Sequence, residues 1–249
     1  MLRFVCRRTL PFLGAASVLA SLALSSGVAP SPAASASRAA VKTPHVVFGK
    51  YTPSNWDTLS NWGGYVAPGS SGEFTTVTAS WTEAAVTCRK SSELYAPWVG
   101  IDGYSNSTVE QTGVQTSCST GVGVDSAWYE MYPANPVYYS NPVSTGDKIT
   151  ATVTSTGSSF TLKISDTTKG WTETTTKSLS SAKHASAEAV IEAPGGYPTI
   201  QKVKFTGVVF DGKALDTYSL VALSTDTDSP VTYSPTSIKN GDDFKMVPN

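Results

Sequence analysis

The sequence predicts an all-β fold, an antiparallel sandwich of two packed sheets, and three observations carry that prediction. After the first 40 residues no apolar pattern recurs with the 3.6-residue period of a helix. Short β-branched and aromatic runs are abundant, and Gly, Pro, Asn, Asp and Ser separate them. No helical crossover joins the runs, so neighbouring strands must be antiparallel. Two such sheets packed face to face are favoured, with a closed barrel as the second solution.

The runs follow in order. Residues 62–66 (Trp-Gly-Gly-Tyr-Val) stop at Pro68-Gly69, and residues 74–81 alternate polar with apolar side chains. Residues 98–101 end at Asp102-Gly103, and 126–132 end at Pro133. Residues 148–155 lie between Gly146 and Gly157, and 160–164 follow the Gly157-Ser158-Ser159 turn. Residues 187–191 end before Pro194-Gly195-Gly196, and 203–210 before Asp211-Gly212. Residues 218–223 and 231–233 close the series. Ser, Thr and Gly at alternate positions fit strands with one solvated face.

The start of the chain reads differently. Arg3, Arg7 and Arg8 precede an apolar run over residues 12–24, and Ser35-Ala36-Ser37 offers a small-residue cleavage site. That run is shorter than the roughly 20 residues a spanning helix needs. Residues 1–40 are therefore expected to be a signal peptide and the start of a short leader, and 41–54 a leader or N-terminal extension. The mature chain is expected to be secreted, extracellular, monomeric and unattached to a membrane.

Without the five basic residues of positions 1–43, 13 basic residues remain against 19 acidic ones, a net charge of −6. This excludes the basic surface of a nucleic-acid binder. Loss of Cys6 with the signal leaves Cys88 and Cys118, an even count in an exported chain, so one disulfide is expected. Two cysteines and two histidines (His45 and His184) make no recognisable metal-ligand cluster, and no metal or other cofactor is expected.

The familiar nucleophile arrangements are missing. His184 is the one histidine well inside the mature chain, and there is neither a Gly-x-Ser-x-Gly turn nor a His-Glu-x-x-His motif. An enzyme of this composition has to work with carboxylates and amides. Five segments stand out: Asn61-Trp62-Gly63-Gly64-Tyr65-Val66, Trp98-Val99-Gly100-Ile101-Asp102-Gly103, Glu110-Gln111-Thr112-Gly113-Val114, Ala127-Trp128-Tyr129-Glu130-Met131-Tyr132-Pro133 and Ala187-Glu188-Ala189-Val190-Ile191-Glu192. Each alone is a weak signal. In this order, from about residue 55 to the end, the chain resembles the glutamic peptidases, or eqolisins.

The resemblance implies a lectin-like (concanavalin-like) jelly roll over residues 55–249. It also implies a pepstatin-insensitive acid endopeptidase acting on polypeptide substrates, with Gln111 and Glu188 as its catalytic pair. Glu192, one strand repeat further on, is the rival carboxylate. Trp62, Tyr65, Trp98 and Trp128 are candidate groove walls, Asp102 and Glu130 candidate supporting groups, and His184 an expected exposed loop residue. Ala189 stands where fungal members carry Trp, and Gln115 where they carry Asp, which implies a bacterial-type branch.

The chemistry suits these side chains without the family name. A carboxylate can take a proton from water, and a neutral amide can donate to an oxyanion while its carbonyl orients that water. Two other functions fit the same fold. One is a glycoside hydrolase using Glu130 and Glu188, and the other a carbohydrate-binding module with aromatic platforms. Neither needs Gln111 in its ordered context.

Overall fold

A computed structural model describes residues 61–225 and 231–249. The signal and leader expected over residues 1–54, with Cys6 and His45, lie outside the described residues. In chain order the strands are β1 (Trp62–Pro68), β2 (Thr76–Thr82), β3 (Val86–Thr87), β4 (Leu94–Ile101), β5 (Val109–Ser117), β6 (Val124–Tyr132), β7 (Val137–Pro142), β8 (Lys148–Thr156) and β9 (Ser159–Asp166). They continue as β10 (Trp171–Ser178), β11 (Ser186–Glu192), β12 (Thr199–Ile200), β13 (Val203–Phe210), β14 (Lys213–Ala214), β15 (Val221–Leu223), β16 (Tyr233–Pro235) and β17 (Phe244–Pro248). One short 3-10 turn, Leu215–Thr217, is the helical content among the described residues.

Two antiparallel sheets pack face to face. The first has the order β15-β1-β11-β4-β5-β6-β7, and the second β10-β9-β8-β2-β13-β17-β16 with β14 added to β13. Strands β4 and β5 lie against β2, β8 and β9 of the second sheet. Between the sheets Tyr95, Val99, Ile101, Val114, Ala127, Ala189 and Ile191 meet Trp81, Ile149, Val153, Phe160, Leu162 and Phe205. In β8 and β9 every second residue is buried, as expected of strands with one solvated face.

The centre of the first sheet departs from that alternation. Every residue of β4, β5 and β11 is buried, so both faces of these three adjacent strands are covered. The face turned away from the second sheet carries its own aromatic cluster, including Trp62, Leu94, Trp98, Trp128, Val190 and Leu223.

Seven strands were not expected from the sequence: β5, β7, β10 and β17, and the two-residue β3, β12 and β14. Strand β5 reads Val-Glu-Gln-Thr-Gly-Val-Gln-Thr-Ser, too polar to announce a buried strand. Strand β10 is a Thr-rich edge with no fully buried residue. The run expected over residues 218–223 is strand only from Val221 on. Cys88 and Cys118 form the expected disulfide, with their Cα atoms 5.5 Å apart.

Candidate active site

Strand pairing aligns one row of residues across the first sheet. Val66 pairs with Glu188, Glu188 with Gly100, Gly100 with Gln111, and Gln111 with Glu130. Directly paired residues project to the same side of a sheet. The row belongs to the face away from the second sheet, because Val66 packs in the aromatic cluster there. Gln111 and Glu188 are thus two strands apart, about 9–10 Å between backbones. Only Gly100, which has no side chain, separates them.

The absence of that side chain is enforced by packing. A Cβ on Gly100 would lie 2.8 Å from Cζ3 of Trp98 and 3.2 Å from Cβ of Gln111. The Trp98 ring is held in turn. It meets Trp62 edge-on at 4.8 Å between centroids, and its indole N–H donates to Glu192 Oε2 at 3.1 Å. The other oxygen of Glu192 accepts from Asn61 Nδ2 at 2.9 Å. Glu192 therefore anchors an aromatic ring, whereas Glu188 has no comparable engagement.

Gln111 and Glu188 are both fully buried. Gln111 Nε2 donates to Glu130 Oε2 at 2.6 Å, which fixes the amide and leaves its carbonyl oxygen unpartnered. Neither carboxyl oxygen of Glu188 has a well-formed hydrogen bond. Burial pushes the Glu188 carboxyl well above the usual carboxylate range. The charges of Asp102 and Glu110 push the same way, while the Ser186 hydroxyl two residues earlier opposes them.

Asp102 lies at the end of β4 and is completely buried. It accepts backbone N–H groups from Lys183 (2.7 Å), His184 (2.8 Å) and Ala185 (2.8 Å), and Asn106 Nδ2 at 2.7 Å. It thereby fastens the segment that enters β11 only three residues before Glu188. Its left-handed backbone (φ 69°) reverses the chain with Gly103 (φ 101°), where a Cβ would strike Val109 and Trp62. Beside it Glu110 is buried, and neither of its carboxyl oxygens has a well-formed hydrogen bond. Burial and the Asp102 charge push Glu110 up to about 9; protonated, it becomes a donor to Asp102.

The structure brings together Gln111, Glu188, Glu130, Trp62, Trp98 and Trp128 on one face, with Asp102 at its end. Glu130 supports Gln111 rather than Glu188. Two expectations are corrected. Tyr65 points to the other side of β1, where it meets Phe244 edge-on at 5.0 Å and donates its hydroxyl to the Thr236 carbonyl. His184 is half-buried rather than exposed; it stacks on Phe160 at 5.0 Å, with Nδ1 3.0 Å from the Ser155 hydroxyl. The sequence reading did not single out Gln115 and Tyr138 as site residues. Strand alternation from Gln111 already places Gln115 on the same face.

Two stacked antiparallel sheets with an amide–carboxylate row buried on one outer face define a glutamic-peptidase-like protein. The Peptidase A4 family model matches residues 60–246, and the chain belongs to that family, the eqolisins. It is 33% identical to aspergillopepsin-2 of Aspergillus niger over 127 residues, 43% of this chain and 44% of that protein. It is 38% identical to scytalidopepsin B of Scytalidium lignicola over 99 residues, 39% of this chain and 36% of that protein. The aligned stretch thus spans less than half the length of each relative. Among solved structures, scytalido-glutamic peptidase with a transition-state analogue inhibitor superposes with a TM-score of 0.66 at 25% identity, covering 78% of this chain and all of that one. Aspergilloglutamic peptidase from Aspergillus niger superposes at 0.55 and 24% identity, covering 63% of this chain and 99% of that one.

Proposed function

We propose that the chain is a secreted, acid-active endopeptidase in which Glu188 activates water and Gln111 stabilises the tetrahedral intermediate. The observation that carries this reading is the row Glu188–Gly100–Gln111–Glu130, in which two complementary groups flank a residue with no side chain. Glu188 takes a proton from a water bound between it and Gln111, and the water oxygen attacks the scissile carbonyl carbon. One N–H of Gln111 stays on Glu130, so the second is available to the developing oxyanion, while the unpartnered carbonyl oxygen can orient the water. The protonated Glu188 then gives its proton to the leaving amine. An amide does not titrate, so Gln111 works unchanged in acid. Both groups are buried, so hydrolysis requires this face to open to a peptide; water entry relieves the desolvation that raises Glu188 and lets it ionise.

Membership of the family supports polypeptide substrates, as does the related SCP-B structure, which was solved in complex with the tripeptide Ala-Ile-His. The test is digestion of casein at pH 3–5 without added metal, beside a polysaccharide pull-down. Cleavage that resists chelator, pepstatin and serine-directed reagents is expected. Full inhibition by a chelator, or polysaccharide retention without cleavage, overturns the reading.

A further inference from the structure

Gln115 lies on the same face as Gln111, four residues further along β5 and so about 13 Å away. Its side chain is fully buried. Tyr138 of β7 donates its hydroxyl to Gln115 Oε1 at 2.7 Å. Burial and then the charge of Glu130 push the Tyr138 phenol up, so it remains an O–H donor at any pH the enzyme meets. The amide sits with its oxygen toward Tyr138 and its nitrogen away from it. That nitrogen, with two N–H groups, has no hydrogen-bond partner. A buried polar group left unsatisfied is destabilising, and a ligand oxygen would relieve it. Trp128 pairs with Gly113, one step nearer Gln111 on the same face, and supplies an aromatic wall between the two amides.

We propose that Gln115 is a specificity-determining residue whose Nε2 donates to an oxygen on a substrate side chain. It selects Asn, Gln, Asp or Glu at one subsite and disfavours Lys and Arg there. This rests on the peptidase reading above. The 13 Å separation puts the contact beyond the scissile bond, at a side-chain subsite. The amide's unpartnered side carries only N–H donors, because its oxygen is turned to Tyr138. A lysine or arginine brought to that side would meet N–H against N–H.

The test is cleavage of a mixed peptide library, with sites read by mass spectrometry for the wild-type chain, Gln115→Glu and Gln115→Leu. Wild type is expected to favour oxygen-bearing side chains at one position. Gln115→Glu should shift the ratio of Lys and Arg to Asn and Gln at that position by about tenfold, while ratios at other positions hold. Gln115→Leu should flatten that position. Tyr138→Phe keeps Gln115 but frees its amide to turn, and should let Lys and Arg in; it serves if Gln115→Leu does not fold. An active chain whose profile is the same in all variants overturns this assignment alone. A folded wild-type chain that cleaves nothing overturns the peptidase reading as well.

Discussion

Trp98 hands its indole N–H to Glu192 at 3.1 Å, and that one bond separates the two carboxylates of β11 by role. Glu192 also accepts from Asn61, so both of its oxygens are used in holding the aromatic wall. Glu188 has no such duty. Glu188→Gln is expected to abolish hydrolysis with little change in Tm. Glu192→Gln should lower Tm and keep measurable turnover, since a Gln oxygen can still accept one of the two bonds. The opposite pattern of turnover would move the base to Glu192.

Gln111→Glu should lower kcat by at least ~10²-fold, the scale of losing one oxyanion donor. It would also set a second carboxyl against Glu130, where the amide now donates at 2.6 Å, and two carboxylates that close cannot both ionise. Glu130→Gln should cost less, because an amide oxygen can still accept from Gln111. The Gln111→Glu and Glu188→Gln losses should not add in the double variant, since both act on one intermediate. Strict additivity in steady-state kinetics would assign them to separate steps.

Gly100→Ala tests the middle of the row. The new methyl would meet the Trp98 ring at 2.8 Å, and Trp62 and Glu192 hold that ring from other sides. Overpacking of this kind costs about 1–3 kcal/mol. Activity should fall further than that loss of stability explains, because a displaced Trp98 ring disturbs Gln111 and Glu188, which flank Gly100 in the row. Thermal melting and casein hydrolysis on the same sample measure both, and unchanged kcat would remove the packing over Gly100 from the mechanism.

Stability should fall as pH rises toward neutrality. Burial pushes Glu83 up to about 8 and Glu110 up to about 9, each reinforced by neighbouring acids. A carboxyl whose folded pKa exceeds its unfolded value of about 4.3 holds its proton longer when folded. Its contribution is fully present below pH ~4.3 and is lost at up to about 1.4 kcal/mol per pH unit above it. Glu93, Asp147 and Asp243 are lowered in the fold by hydrogen bonds and cationic partners, so theirs is present at higher pH and lost as pH drops below ~4. A Tm maximum near pH 4 is expected. Glu110→Gln should flatten the descent from pH 5 to 8, and a wild-type Tm that climbs over that range would contradict this account.

The fold class was legible because solvated strands advertise themselves by alternation, and most expected runs reappear as strands. Strand β5 was not, although it carries Gln111. Alternation fails where both faces are buried, and the polar side chains that make the site are the ones that disguise the strand. The candidate pair was legible through the order of the motifs. The share of each neighbour was not, since the sequence does not reveal that Glu130 accepts from Gln111 or that Glu192 holds Trp98. Tyr65 could have been set apart earlier. It is three residues from Trp62, and an odd separation on a strand puts two side chains on opposite faces.

The disulfide between Cys88 and Cys118 bears on self-digestion under the proposed peptidase activity. All of β4 and all of β5 lie inside that covalent circuit, including Trp98, Gly100 and Gln111. The turn joining them displays Ser105 and Ser107 to solvent, an obvious place for a passing copy of the enzyme to cut. Such a cut would turn the circuit into a line without releasing either end. Both strands would stay tethered and hydrogen-bonded in the sheet, and the damage would show on a gel only after reduction.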